Sequence, residues 1–145
     1  MTVRLRAVLD TNVFVSAART PRGVCGRILA TAFAGHWTMV VSEQLLDELA
    51  EVLHRPWLSD SLAKGEAEEF TAAVRQIAEV VADPQPSAVR AVRDEDDEFL
   101  VALARSAGVD VLVSGDRDLL VLDNPEHPVW TPAIFLARIS DPSAR

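Results

Sequence analysis

The chain has 145 residues, 49% of them hydrophobic, 25% charged and only 6% aromatic, and its 14 basic and 22 acidic side chains leave a formal charge of −8. A chain of this length buries roughly 70% of its unfolded surface, enough for one soluble domain without structural metal. The lone Cys25 excludes an intrachain disulfide, no stretch approaches ~18 consecutive apolar residues, and Arg4, Arg6 and Asp10 arrive before a signal-type apolar segment develops, so the cytoplasm is the expected compartment and no membrane is involved. Scattered Gly and Pro without a repeat exclude collagen-like, coiled-coil and disordered classes. The acidic balance excludes broad, sequence-independent coating of nucleic acid.

Residues 3–9 end in Ala7-Val8-Leu9, a strand entering the centre of a sheet, and stop abruptly at Asp10-Thr11-Asn12. After Pro21, residues 23–34 carry Val24, Ile28, Leu29, Ala32 and Phe33 at helical spacing. Residues 37–41 read as the second strand. Ser42 is an N-cap for a helix with the apolar stripe Leu45, Leu46, Leu49, Val52 and Leu53, ended by Pro56. A further helix is predicted over 60–76 and a third strand over 77–82. Residues 83–93, with Pro84 and Pro86, form a connection too short to divide domains.

Phe99, Leu100, Leu103, Ala104 and Ala107 mark a helix ended by Gly108, and residues 109–113 form strand four. A helical turn runs over 116–122. Val129-Trp130 is the last strand, and Thr131-Pro132 starts a closing helix to about residue 139. One domain over 1–139 with a frayed tail over 140–145 is expected. Strands separated by helices of ten residues or more imply a parallel sheet covered on both faces, so the fold class is α/β, a three-layer α/β/α sandwich. Such sheets bind ligands beyond the carboxyl ends of their strands.

Acids stand at those ends. Asp10 follows the first strand, and Ser114-Gly115-Asp116 follows the fourth, with Asp118 two residues later. Asp94, Glu95, Asp96, Asp97 and Glu98 form an unbroken acidic run where the helix before strand four begins. An N-cap and one or two acids gain roughly 0.3–1 kcal/mol each from a helix dipole, and five exceed that need. On the helix after strand two, with Leu49 centring the stripe and about 100° per residue, Glu48 falls near −100°, at the stripe's edge. Asp47 and Glu51 point away and Glu43 falls near 120° on the same wheel, which leaves Glu48 as the candidate.

Two carboxylates about 4–5 Å apart repel by roughly 3–4 kcal/mol at an effective dielectric near 20, so a converging set must protonate or bind cations. Oxygen ligands without nearby His or Cys favour Mg²⁺ or Mn²⁺ over Zn²⁺. Metal-assisted phosphodiester hydrolysis follows from that ligand set. Arg19, Arg22 and Arg117 are candidates for a local basic rim that contacts substrate.

Leu9-Asp10-Thr11-Asn12, Ser42 followed by Leu46-Asp47-Glu48-Leu49, Asp96-Asp97-Glu98-Phe99-Leu100, and Ser114-Gly115-Asp116-Arg117-Asp118-Leu119 stand in an order that resembles the PIN-domain ribonucleases. The resemblance spans nearly the whole chain, and within the family it is to VapC-type toxins of bacterial toxin–antitoxin systems. It implies about five strands in the order 3-2-1-4-5. It implies that Asp10, Glu48 and Asp97 hold the metal directly or through water, with Asp116 as the fourth acid, Asn12, Ser114 and Asp118 in support, and RNA as the substrate. It also implies a homodimer restrained by an antitoxin protein. Many members carry Thr where Ser114 stands and one acid, not two, in the following loop.

Other readings use the same acids. A non-toxin PIN nuclease or a catalytically silent scaffold would share them, and a receiver-type phosphoacceptor domain would use Asp83 with Lys64, the sole lysine. A dehalogenase-type phosphatase needs an acid where Asn12 stands. His36, His54 and His127 read as capping or surface residues, Cys25 as a small packed hydrophobe, and Trp37 and Trp130 as strand residues. Trp57 fits either a packed helix terminus or a dimer or antitoxin surface.

Overall fold

The short apolar runs pair side by side. In this computed structural model, which describes residues 4–85, 95–121 and 127–140, β1 (Arg6–Leu9), β2 (Thr38–Ser42), β3 (Glu79–Val81), β4 (Val111–Val113) and β5 (Val129–Trp130) form a five-stranded sheet in the order β3-β2-β1-β4-β5. All four pairings are parallel. Ala7, Val8, Leu9 and the whole of β4 have no exposed surface, as strands covered on both faces require; their sequence is therefore continuously apolar, without alternation.

The helices are α1 (Thr11–Arg19), α2 (Val24–Phe33), α3 (Glu43–Leu53), α4 (Pro56–Ser59), α5 (Glu66–Ile77), α6 (Glu95–Ala107), α7 (Arg117–Leu120) and α8 (Pro132–Ser140). Right-handed crossovers run from β1 through β2 to β3 in one direction and return from β3 to β4 in the other, which puts α6 on the face opposite α1 to α5. In agreement, α6 packs on β1 and β4, whereas α1, α2, α3, α5 and α8 form a contiguous layer. Phe135 of α8 closes that layer edge-on against buried Trp37, with ring centroids 5.0 Å apart. Among the described residues, no helix is long and apolar enough to cross a membrane.

Three local expectations are corrected. Residues 11–19 form α1, a segment to which the sequence pattern assigned no element. The run Val13-Phe14-Val15 has weak helical propensity, but Asp10 caps the helix and Val13, Phe14, Ala17 and Ala18 bury one face. The helix expected over 60–76 starts only at Glu66. Gly65 takes a left-handed φ of 81°, and the Glu66 carboxylate turns back to accept from the Ala63 N–H at 2.6 Å. Pro56 does more than follow the end of α3, since it opens the separate turn α4.

His127 departs from its expected surface or capping role, being only 1% exposed. Pro128 already accepts from the Leu112 N–H at 3.0 Å, so the sheet's hydrogen bonding begins there and carries His127 inside. His54 does cap α3, and it pairs with Glu68 of α5 at 2.8 Å. Cys25 is half-buried, and burial pushes its thiol pKa up. The expected features over 86–94, at residue 122 and over 141–145 lie outside the described residues, and Ser140 is the last residue of α8.

Gly26 has no room for a side chain, because a Cβ there would overlap the main-chain carbonyl of Pro21. Alanine would gain at most about 1 kcal/mol in helix propensity, whereas backbone overpacking costs typically about 1–3 kcal/mol. Gly26→Ala is therefore expected to lower the urea midpoint; an unchanged or higher midpoint would show that the turn between α1 and α2 yields freely.

Candidate active site

Register brings the first two loops together. Leu9 lies opposite Val113, and the Asp10 N–H continues the ladder to the Val113 carbonyl at 2.9 Å. Asp10 and Ser114 are the next residues on their strands, 104 positions apart in sequence yet joined by a 2.8 Å hydrogen bond from Ser114 Oγ to Asp10 Oδ2. The Ser114 hydroxyl also accepts from the Asp116 N–H at 2.9 Å, so one buried group ties together the loops after β1 and β4. The other oxygen of Asp10 accepts from the main-chain N–H of Asn12 at 3.1 Å, which caps α1. Asp116 repeats the device, capping α7 by accepting from the Asp118 N–H at 2.8 Å.

These loops open into a crevice of about 230 Å³ lined by Asp10, Thr11, Asn12, Glu48, Val52, Arg55, Trp57, Asp97, Leu100 and Asp116. Glu48 and Val52 come from α3, Arg55 and Trp57 from the start of α4, and Asp97 and Leu100 from α6 on the opposite face. The crevice thus sits at the point where chain direction across the sheet reverses, between β1 and β4. Asp10 and Asp97 are buried, at 7% and 6% exposure. One carboxylate oxygen from each of Asp97, Asp116 and Asp118 lies within 4.8 Å of the others. Asp118 joins this group because the cap on Asp116 holds it in the first turn of α7.

Two acids of α3 have other engagements. Glu43 takes a two-pronged contact from Arg75 at 2.6 and 2.8 Å, and that hydrogen bonding holds its carboxyl below the usual carboxylate range. Glu51 faces outward and pairs with Arg55 at 3.2 Å. Asp94 lies outside the described residues, as do the side chains of Glu95 and Asp96. Asp83 accepts from the Gln44 N–H at the start of α3, and Lys64 is exposed before α5; neither lines the crevice, which removes the two groups a phosphoacceptor would need there.

Of the basic candidates, Arg19, Arg22 and Arg117 are exposed and absent from the described lining of the crevice. Arg19 instead stands over the Trp57 ring, its guanidinium carbon 5.8 Å from the centroid. Arg55 and Trp57 line the crevice without having been singled out as site residues by the sequence. Their signal, Arg55-Pro56-Trp57 directly after an amphipathic helix, reads locally as a helix stop.

The lining polar groups are mostly carboxylates, with no His or Cys among those described. Such a donor set suits a hard divalent cation held by oxygens. Without a cation, carboxylates at this separation repel by a few kcal/mol per pair at the effective dielectric of about 20 that suits protein sites.

A family model described as PIN domain matches residues 6–118. The uncharacterized protein MJ1680 of Methanocaldococcus jannaschii is 28% identical over 120 residues, covering 83% of this chain and 76% of its own. Among solved structures, PAE2754 of Pyrobaculum aerophilum superposes with a TM-score of 0.64 at 18% identity, covering 94% of this chain and 96% of that one. VapBC2 of Rickettsia felis, solved bound to a DNA fragment from its promoter, superposes with a TM-score of 0.61 at 16% identity, covering 88% and 98%. The two superpositions cover most of this chain and nearly all of each neighbour, and they show the fold.

Removing the Ser114 hydroxyl takes one hydrogen bond from Asp10 Oδ2 and leaves the Asp116 N–H without its acceptor. Loss of such a buried partner costs about 1–3 kcal/mol. Ser114→Ala is expected to lose stability on that scale in denaturant titration, and a variant as stable as the parent would mean that the two loops are held by something else.

Proposed function

Because the chain belongs to the PIN-domain family, a family of nucleases, we propose that it is a metal-dependent endoribonuclease that hydrolyses RNA phosphodiester bonds. The observation that carries this reading is the approach of Asp97, Asp116 and Asp118 oxygens to within 4.8 Å beside a crevice shared with Asp10 and Glu48. Asp10, Asp97 and Asp116 hold Mg²⁺ or Mn²⁺ in this proposal, directly or through water, with Glu48 as the further catalytic acid and Asp118 in support. The ion, when bound, supplies a Lewis acid that helps to activate water and neutralises charge developing on the scissile phosphate.

The protein's own contribution is position. The Ser114 hydroxyl and the Asn12 N–H each take one oxygen of Asp10, which fixes the plane of that carboxylate. Glu48 stands across the crevice on a helix anchored by fully buried Leu45, Leu46 and Leu49, so its backbone is rigid. Arg19, Arg22 and Arg117 are proposed to meet the strand outside the crevice. The likeness in fold to VapBC2 supports a toxin role with an antitoxin protein as partner; a homodimer and a cytoplasmic site of action are proposed with that role.

Cleavage of single-stranded RNA in Mg²⁺ or Mn²⁺, with and without chelator, tests the reading directly. Chelator-resistant cleavage, or none in any divalent ion, would remove it. Asp97→Asn is expected to lose about a hundredfold or more in rate, roughly 2.7 kcal/mol of barrier. Its unfolding midpoint without metal should stay at or slightly above that of the parent, since one repulsive charge is gone. Glu48→Gln should be severely impaired while Glu51→Gln, on the outward face, cleaves normally; equal rates for the two would reject the role of Glu48.

A further inference from the structure

We infer that Trp57, flanked by Arg19 and Arg55, is a stacking shelf for an unpaired nucleobase of the strand whose phosphodiester enters the acidic crevice; this rests on the nuclease reading above. Trp57 is 58% exposed, whereas Trp37 is buried in the core. Its neighbour Leu58 has no exposed surface and Pro56 begins the helix, so the indole is carried on an anchored turn at the crevice wall. Arg19 lies 5.8 Å from the ring centroid, within cation–π range, and Arg55 lines the same wall with half of its side chain exposed.

The electrostatics of the crevice make an uncharged hold useful. A strand that brings phosphates toward Asp10, Glu48, Asp97 and Asp116 on a chain of net charge −8 is repelled before any cation screens it. Stacking a base on an indole adds affinity without requiring further neutralised phosphates, and it tolerates any base because each has a π-face. Arg19 adds positive potential beside the indole, and Arg55, paired with Glu51 at 3.2 Å, keeps half of its side chain exposed toward a passing phosphate. A base already stacked and paired within a duplex cannot use the shelf, so the arrangement selects single-stranded segments.

The test is steady-state cleavage of a short single-stranded RNA, and of the same sequence held in duplex, by the parent, Trp57→Ala, Trp57→Phe and Arg19→Ala. Trp57→Ala should raise KM for the single strand by about tenfold, the scale of one aromatic platform, with a smaller change in kcat. Trp57→Phe should recover most of that loss, and Arg19→Ala should raise KM to a lesser degree. Quenching of parent tryptophan fluorescence by the RNA should largely disappear in Trp57→Phe. Should Trp57→Ala fail to fold, the Phe and Arg19 variants and the quenching decide alone. An unchanged KM together with unchanged quenching overturns the shelf while leaving the nuclease reading intact. A parent that cleaves no RNA in either metal overturns both. Loss of self-association or of capture by a protein partner, with KM unmoved, would assign the surface to protein and also overturn the inference.

Discussion

The pairing of β1 with β4 in the register Leu9 with Val113 governs the geometry of the site, because it makes Asp10 and Ser114 neighbours. A parallel ladder shifted by one residue would leave these two side chains on opposite faces of the sheet. In the register observed, a single hydroxyl with no exposed surface donates to one acid and accepts from the main chain of the next. The loops that carry Asp10 and Asp116 are therefore held by the strands themselves. Each acid also caps the helix that follows it, so one side chain both starts a helix and faces the crevice.

The two ends of the sheet handle charge differently. At the amino end, Arg6 pairs with Glu79 at 2.7 Å, donates to the Ala107 carbonyl and gives its main-chain N–H to Asp110, so both carboxylates there have an Arg6 donor. At the carboxyl end, acids from both helical layers gather around one crevice with Arg55 as the cation among its described lining. The fold carries that imbalance on a core that runs unbroken from the central strands into the helices on both faces. Charge repulsion of a few kcal/mol per pair is tolerable against such burial, and a divalent cation would relieve it.

The start of α4 forms one wall of the crevice that holds the acids. A bare cluster of carboxylates attracts cations of any kind and repels the polyanion it is proposed to cut. The segment Arg55-Pro56-Trp57-Leu58 places a cation and an aromatic face on the wall, anchored by the buried leucine, and in the proposed reading these offset that repulsion. Arg19, at the end of the helix that Asp10 caps, reaches the same indole. The N-terminus of α1 thus contributes an acid to the crevice while its C-terminus sets a cation beside the indole on the crevice wall.

Sequence alone located the central strands, because the buried runs 7–9, 39–41 and 111–113, covered on both faces, must be apolar throughout, and it located Asp10 and Asp116 as acids that follow such segments. The stripe of α3 likewise sets Glu48 apart from Glu43 and Glu51. Tertiary structure decided what local periodicity does not encode. It made a helix of residues 11–19 against weak propensity, since Phe14 and Val13 gain more from burial than they lose in rotamer freedom. It brought Asp118 within reach of Asp97, and Trp57 and Arg55 to the crevice, by contacts between segments tens of residues apart. Such distances follow from strand register and helix packing, which depend on the whole chain closing around one core, so no window of sequence contains them.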